Sequence, residues 1–140
     1  MTHDSDATDA LVRRHLRIGY AGLAVFVTLG GLLEAFHGFK VGFYLDADNE
    51  TRRLMWRLAH AHGTLLSVLH VAYALTIKAV PGAGRPLASG TLTTALLLVA
   101  GGFFAGGMAV HGGDPSLGVL LVPAGFVALL VSVVVTVRAL

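Results

Sequence analysis

The chain has 140 residues, of which 55% are hydrophobic and 13% charged, and it contains no cysteine. Soluble domains carry roughly 25% charged residues, so this composition excludes an ordinary soluble domain, and it is too apolar for a disordered chain. The lack of cysteine excludes disulfides and thiolate ligands, and a net charge of +2 without a basic stripe excludes nucleic acid as the partner.

Four apolar runs are long enough to cross the roughly 30 Å hydrocarbon core of a bilayer. They cover 18–37, 57–77, 92–110 and 117–137. Because the backbone must satisfy its own hydrogen bonds in lipid, continuous runs of about 20 residues predict helices. The short connections before the third and fourth runs make neighbouring helices antiparallel. The predicted fold is all-α, an integral membrane antiparallel four-helix bundle.

The organisation along the chain is simple. A polar stretch over 1–15 is predicted to be a disordered cytoplasmic tail, and 16–140 to be one membrane domain. His15, inside the basic stretch VRRHLR, is interpreted as part of a cytoplasmic anchor. The following basic residues belong to the end that holds both termini: Arg13, Arg14, Arg17, Lys78, Arg85 and Arg138. They slightly outnumber the basic residues at the other end, and basic residues favour the cytoplasmic side of a membrane. Both termini are therefore predicted to be cytoplasmic, with the protein in a bacterial-type inner membrane.

Ionisable residues gather near the outer ends of three spans. Glu34 and His37 lie three residues apart on one face of the first span, and His111 follows the third. At 100° per residue, His60 shares a face of the second span with Arg57. Charged groups inside a membrane are costly, so this grouping at one depth predicts a functional site.

The residue types favour a haem or metal site. Imidazole binds haem iron and also Fe, Cu and Zn, so His37, His60 and His111 are the candidate ligands. Haem b is the first choice and a single Fe, Cu or Zn ion the second. Arg53 and Arg57 are the candidates to pair with haem propionates, and Gly63 opens space beside His60.

Two further residues are candidates for acid–base chemistry, namely Glu34 and His62. Helical angle places His62 about 160° from His60, so the two cannot bind one ion from a regular helix. A carboxylate-bridged di-iron site is excluded, because it needs four carboxylates and the spans contain one. The alternative is that these histidines only make hydrogen bonds between helices or lie at the membrane interface.

The remaining segments are predicted to be mainly structural. Gly102 with Gly106, and Gly101 with Ala105, form small-residue pairs on the third span. Such pairs predict close packing within the bundle, or else a homo-oligomer or room for a flat cofactor. The outer loop over 38–51 contains aromatic residues typical of a membrane interface, and it is long enough to act as a lid.

Two segments resemble known proteins. AHAHG at 59–63 and HGGDPSLG at 111–118 are similar to elements of small four-span membrane proteins of the hydroxylaminobenzene mutase type. That resemblance implies an intramolecular hydroxyl shift on an aromatic hydroxylamine, with His60 in metal ligation and Glu34 as acid–base partner. The His-x-His element also resembles helices of the haem-copper oxidase catalytic subunit, which implies His60 and His62 as ligands.

The sequence as a whole predicts a membrane enzyme, an isomerase or oxidoreductase, with a haem or metal at the outer end of the bundle. It would act on a small, partly apolar molecule that enters from the lipid or through the outer loop. If histidines occupy both axial positions of the haem iron, the alternative is an electron-transfer subunit. The third hypothesis is a structural subunit of a larger complex, with no cofactor.

Overall fold

A computed structural model describes the chain over residues 2–45 and 50–140, with side chains described from residue 6 onward. Five α-helices follow one another: α1 (Thr2–Gly38), α2 (Gly42–Leu45), α3 (Glu50–Ala79), α4 (Pro86–Gly106) and α5 (Leu121–Val137). Two single-turn 3-10 helices, Pro81–Ala83 and Leu117–Leu120, precede α4 and α5. The described residues contain no β-strand, which confirms the all-α prediction.

Four helical segments are long and apolar enough to cross a membrane, as predicted: Asp6–Gly38, Glu50–Ala79, Pro86–Gly106 and Leu117–Val137. The second begins seven residues before the predicted start at Arg57, because the polar residues ahead of it continue the same helix. The third begins at Pro86, a residue suited to the first helical position because it has no N–H group of its own that would need an acceptor.

The amino-terminal segment differs from the prediction. Helix α1 begins at Thr2, so the segment predicted to be a disordered tail is helical. Its last part belongs to the bundle: Leu11 and Val12 pack against a buried cluster that includes Tyr73 and Ile77, and His15 is fully buried. The reason is helical spacing, since Leu11, His15 and Gly19 recur at intervals of four residues and face α3 together.

The bundle is built by helices that pack in chain order. Helix α1 packs against α3, α3 against α4, and α4 against α5. One hydrophobic core centred on Leu66, Val99 and Phe103 joins α3, α4 and α5. A second, around Tyr73 and Leu92, joins α1, α3 and α4 near the opposite end.

Glycines bring α4 and α5 into close contact. A Cβ atom at Gly102 would lie 3.0 Å from Val122, and one at Gly118 would overlap Ala105. Gly102 therefore packs within the bundle, as the first interpretation of the small-residue pairs predicted. In the described part of the chain, no atom outside the adjoining backbone of α4 lies within 4 Å of the Cβ position of Gly101, and the predicted homo-oligomer through this span stays a prediction.

Candidate functional site

A half-open pocket of about 740 Å³ lies between α1, α2 and the first half of α3. Its polar lining consists of Glu34, His37, Tyr44, Arg53, Arg57 and His60. Apolar side chains complete the wall, among them Val27, Leu33, Leu54 and Leu58. Five residues that the sequence singled out thus share one pocket, and its volume is typical of a small-molecule site.

His60 has a defined orientation in this pocket. Its Nδ1 lies 2.7 Å from the carbonyl oxygen of Phe26 on α1. A carbonyl only accepts, so Nδ1 carries the hydrogen and Nε2 keeps its lone pair as a base or ligand. The ring fits because the facing residue is Gly30, where a Cβ would overlap it. Sequence analysis missed Gly30 and Phe26, since nothing in a single chain shows which α1 residue faces α3.

Arginines hold the short helix α2 beside the pocket. Arg53 Nη1 donates to the carbonyl oxygen of Tyr44 at 3.2 Å, and its Nη2 lies 3.6 Å from the Glu50 carboxylate. Arg52 Nη1 donates to the carbonyl oxygen of Phe43 at 3.0 Å. Burial raises the pKa of the Tyr44 phenol, although the nearby Arg57 and Arg53 lower it. Its hydroxyl therefore stays protonated near neutral pH and offers the pocket a hydrogen-bond donor.

An aromatic cluster lies behind α2. Trp56 stacks on Phe104 with ring centroids 5.7 Å apart and on Tyr44 at 6.4 Å, and its Nε1 donates to the carbonyl oxygen of Phe104 at 3.1 Å. Phe43 packs edge-on against Trp56. Residues 38–45 of the predicted lid are therefore tied to the bundle beside the pocket, and its positions 46–49 lie outside the described residues.

Three predicted site residues lie outside the pocket, namely His62, His111 and Gly63. His62 faces away from the pocket, with its ring against Phe103 and Phe126 and its Nδ1 on the carbonyl oxygen of Leu58. His111 is exposed in a turn, where its backbone pairs with that of Asp114.

The structure places Gly63, predicted to open space beside His60, outside the pocket that His60 lines. The ring of Phe26 occupies the groove at Gly63, where a Cβ would overlap it. Gly63 is therefore a packing residue between α1 and α3, and it does not line the pocket.

The predicted set of three metal ligands is not assembled. Among the described residues, no group of three His, Cys, Asp or Glu side chains is placed to hold a metal ion. The physical reason is that His111 leaves α4 in an exposed turn, whereas His37 and His60 line the pocket between α1 and α3. A haem needs only one protein imidazole, so this absence does not bear on the haem prediction.

A second polar cluster, which the sequence did not predict, lies in the other half of the bundle. His15 Nδ1 and His70 Nδ1 are 2.7 Å apart, and His15 Nε2 is 2.8 Å from the hydroxyl of Ser89. All three side chains are almost completely buried. This His15–His70–Ser89 chain joins α1, α3 and α4 by hydrogen bonds.

The surroundings of the His15–His70–Ser89 chain are also polar. Tyr73 packs edge-on against His15, and its hydroxyl donates to the carbonyl oxygen of Ala83 at 3.1 Å. His70 Nε2 is buried without a hydrogen-bond partner among the described residues, although the backbone of Leu92 lies close to the ring. Spacing along α1 could have indicated that His15 faces inward, because it shares a side with Leu11 and Gly19. Its partners on α3 and α4 are visible only in the fold.

Comparisons of the chain with protein-family models, curated proteins and solved structures give no significant match.

Proposed function

We propose that the protein is an integral membrane enzyme that binds a small, partly apolar molecule in the pocket between α1 and α3, and that His60 moves a proton there. The observation that carries this proposal is the composition of the pocket, which combines Glu34, His60 and two arginines with an otherwise largely apolar lining. Enzyme pockets commonly combine a largely apolar lining with a few convergent polar groups.

The geometry of His60 supports a role as general base. The bond from Nδ1 to the Phe26 carbonyl fixes the ring and leaves the Nε2 lone pair to accept a proton. Glu34 lines the same pocket and can relay or return that proton. The guanidinium groups of Arg53 and Arg57 favour negative charge that develops on the bound molecule.

An aromatic hydroxylamine is the substrate class that we propose, following the sequence resemblance. Its ring matches the wall formed by Leu33, Leu54 and Leu58, and its N–OH group can reach the polar groups. Moving the hydroxyl breaks the N–O bond and forms a C–O bond, while the proton that the ring carbon loses is returned to nitrogen, so the product is an isomer and no oxidant or reductant is needed. The reaction requires only that protons are taken up and returned within the pocket.

The test compares two histidines on one helix. Purified wild type, His60→Gln and His62→Gln are incubated with phenylhydroxylamine, and the aminophenol product is measured by chromatography. We expect His60→Gln to lose about 10²-fold to 10⁴-fold in rate, as general bases do, and His62→Gln to stay within about threefold. Equal losses in the two variants, or no product with wild type, would contradict the proposal.

A second candidate is a haem protein that uses the same pocket. It is favoured by His60, because a ligand imidazole normally donates its other N–H to a carbonyl, as His60 Nδ1 does to Phe26. His60 would hold the iron, while Arg53 and Arg57 would pair with the propionates. When bound, haem would supply electron transfer or oxygen chemistry.

Absorption spectroscopy separates the two candidates. If haem is bound, detergent-purified protein from haem-supplemented cells has a Soret band, and His60→Ala loses it while His62→Ala keeps it. A preparation without a Soret band, assayed with added hemin, would contradict the haem candidate and leave the acid–base proposal intact.

A further inference from the structure

A second cleft, of about 350 Å³, lies at the end of the bundle opposite the His60 pocket. It is formed where α4 begins and α5 ends, and its lining consists of Arg85, Pro86, Leu87, Val135, Arg138 and Ala139. Both helices belong to membrane-crossing segments. The cleft therefore lies where two spans reach the surface of a bilayer.

Two arginines provide the charge of this cleft. Arg85 directly precedes α4 and Arg138 directly follows α5, and both are exposed. Among the described residues, neither side chain makes an ion pair or a hydrogen bond. Both guanidinium groups are thus available to an anion.

The backbone adds to the positive potential. Helix α4 begins with Pro86 and has no side-chain cap, so the N–H groups of its first turn have no side-chain acceptor. The positive end of the helix dipole attracts anions at such a terminus. In this cleft it acts together with the two guanidinium groups.

The rest of the lining is apolar. Leu87 is 57% exposed in the first turn of α4, and Val135 lies about one turn before Arg138 in α5. A free phosphate would gain nothing from these side chains, whereas a hydrocarbon chain would pack against them. The charged part of the cleft lies at the end of the helices and its apolar wall lies toward the middle of the bundle. A phospholipid has its headgroup and acyl chains in the same arrangement.

We propose that this cleft binds an anionic phospholipid, with the phosphodiester between Arg85 and Arg138 and an acyl chain against Leu87 and Val135. Basic pockets between spanning helices are suited to anionic headgroups. A zwitterionic lipid has the same phosphate, but its ammonium group is repelled by the second guanidinium. Preference for the anionic lipid is therefore part of the proposal.

The experiment measures lipid retention by native mass spectrometry on the full chain in detergent. Phosphatidylglycerol and phosphatidylcholine with identical acyl chains are added to wild type, to Arg85→Gln/Arg138→Gln and to Arg13→Gln/Lys78→Gln. The last variant loses the same charge at the same end from exposed residues outside the cleft. We expect the first double variant to lose roughly 10-fold to 30-fold in phosphatidylglycerol affinity, and the control much less.

Two further measurements separate lipid from simple anion binding. Leu87→Gln keeps both charges, so we expect it to weaken phosphatidylglycerol retention several-fold, and millimolar inorganic phosphate should not displace the lipid. Single arginine variants replace the double variant if circular dichroism shows that it is unfolded. Equal losses in the cleft and control variants, equal retention of the two lipids, or displacement by phosphate would overturn the proposal.

Discussion

Single histidines of the bundle differ in role because their nearest partners differ. His60 and His70 lie on the same side of α3, yet His60 Nδ1 contacts a backbone carbonyl beside a pocket, whereas His70 Nδ1 contacts another imidazole in the core. A carbonyl fixes the hydrogen on one ring nitrogen and leaves the other available for chemistry. Two hydrogen-bonded imidazoles share one hydrogen and mainly hold their helices together.

The first prediction concerns His15, which the sequence analysis placed in a cytoplasmic anchor. We expect His15→Ala to lower the free energy of unfolding by about 2–4 kcal/mol, because it leaves a cavity and removes the partner of His70 and Ser89. Unfolding in mixed micelles, followed by circular dichroism, measures the change. The control is His111→Ala at an exposed site, with an expected change within about 0.5 kcal/mol.

A double-mutant cycle shows whether the two imidazoles act as a pair. His70→Leu leaves the His15 imidazole without its partner, and His15→Leu leaves His70 and Ser89 without theirs, but the double variant removes both members of the imidazole–imidazole hydrogen bond. We therefore expect the double variant to be less destabilised than the sum of the single variants. Additive effects would show that the hydrogen bond contributes nothing beyond packing.

The second prediction concerns pH and Tyr44. Burial raises the pKa of this phenol in the folded protein, so the unfolded chain loses the proton first, near pH 10. Above that pH the unfolded state binds fewer protons than the folded state, and stability falls as pH rises. We expect Tyr44→Phe to reduce the loss of stability between pH 9 and pH 11, as measured by unfolding in mixed micelles at each pH.

At the scale of the helices, glycines set how closely α1 approaches α3. Gly22 faces Ser67, Gly30 faces the ring of His60, and Gly63 faces the ring of Phe26. In each place a Cβ would overlap the facing side chain, so the two helices fit only because one partner is glycine. This contact also determines the position of His60, because its ring lies on Gly30 and its hydrogen bond is to α1.

The third prediction uses this contact to move His60 without replacing it. We expect Gly30→Ala to push the ring away from the Phe26 carbonyl and to weaken ligand or haem binding at least tenfold, while most of the helical content remains. Gly31→Ala is the matched control, since its Cβ position has no atom within 4 Å. Ligand titration together with circular dichroism measures both effects. Equal weakening in the two variants would mean that the helix contact does not position His60.

At the scale of the whole molecule, the two ends of the bundle differ in character. One end carries the half-open pocket and its aromatic neighbours, and the other carries the His15–His70–Ser89 chain and the cleft with Arg85 and Arg138. Polar groups at the first end face an open cavity, whereas those of the hydrogen-bonded chain are enclosed. The half-open pocket is therefore suited to binding a small molecule, whereas the enclosed His15–His70–Ser89 cluster holds the helices together.

The fourth prediction tests how the bundle lies in the membrane. Because the chain has no cysteine, single cysteines at Asp114 and at Gly82 report on opposite ends. Both sites are exposed, whereas the neighbouring Ala83 is fully buried and would be shielded on either side. We expect an impermeant thiol reagent to label the Asp114→Cys variant from outside intact cells and the Gly82→Cys variant only after lysis. The reverse pattern would place both termini outside.

The amino-acid sequence by itself determined the four helical segments that are long and apolar enough to cross a membrane. A span must satisfy its backbone hydrogen bonds within one segment and present about 20 apolar residues to lipid, and both properties are local. Glu34 and His60 were recognised for a related reason, since ionisable groups in an apolar run are costly wherever the helix packs. The helical period also separated His60 from His62, because angle around a helix depends only on spacing.

Only the tertiary structure decided which residues meet. His111 is at the predicted end of the bundle yet lies outside the pocket, and Gly63 packs against Phe26, because both outcomes depend on how neighbouring segments fit together. His15 and His70 are separated by 55 residues, and their hydrogen bond forms because small residues let α1 approach α3. Such contacts depend on the side chains of two helices at once. Spacing within either helix alone does not contain that information.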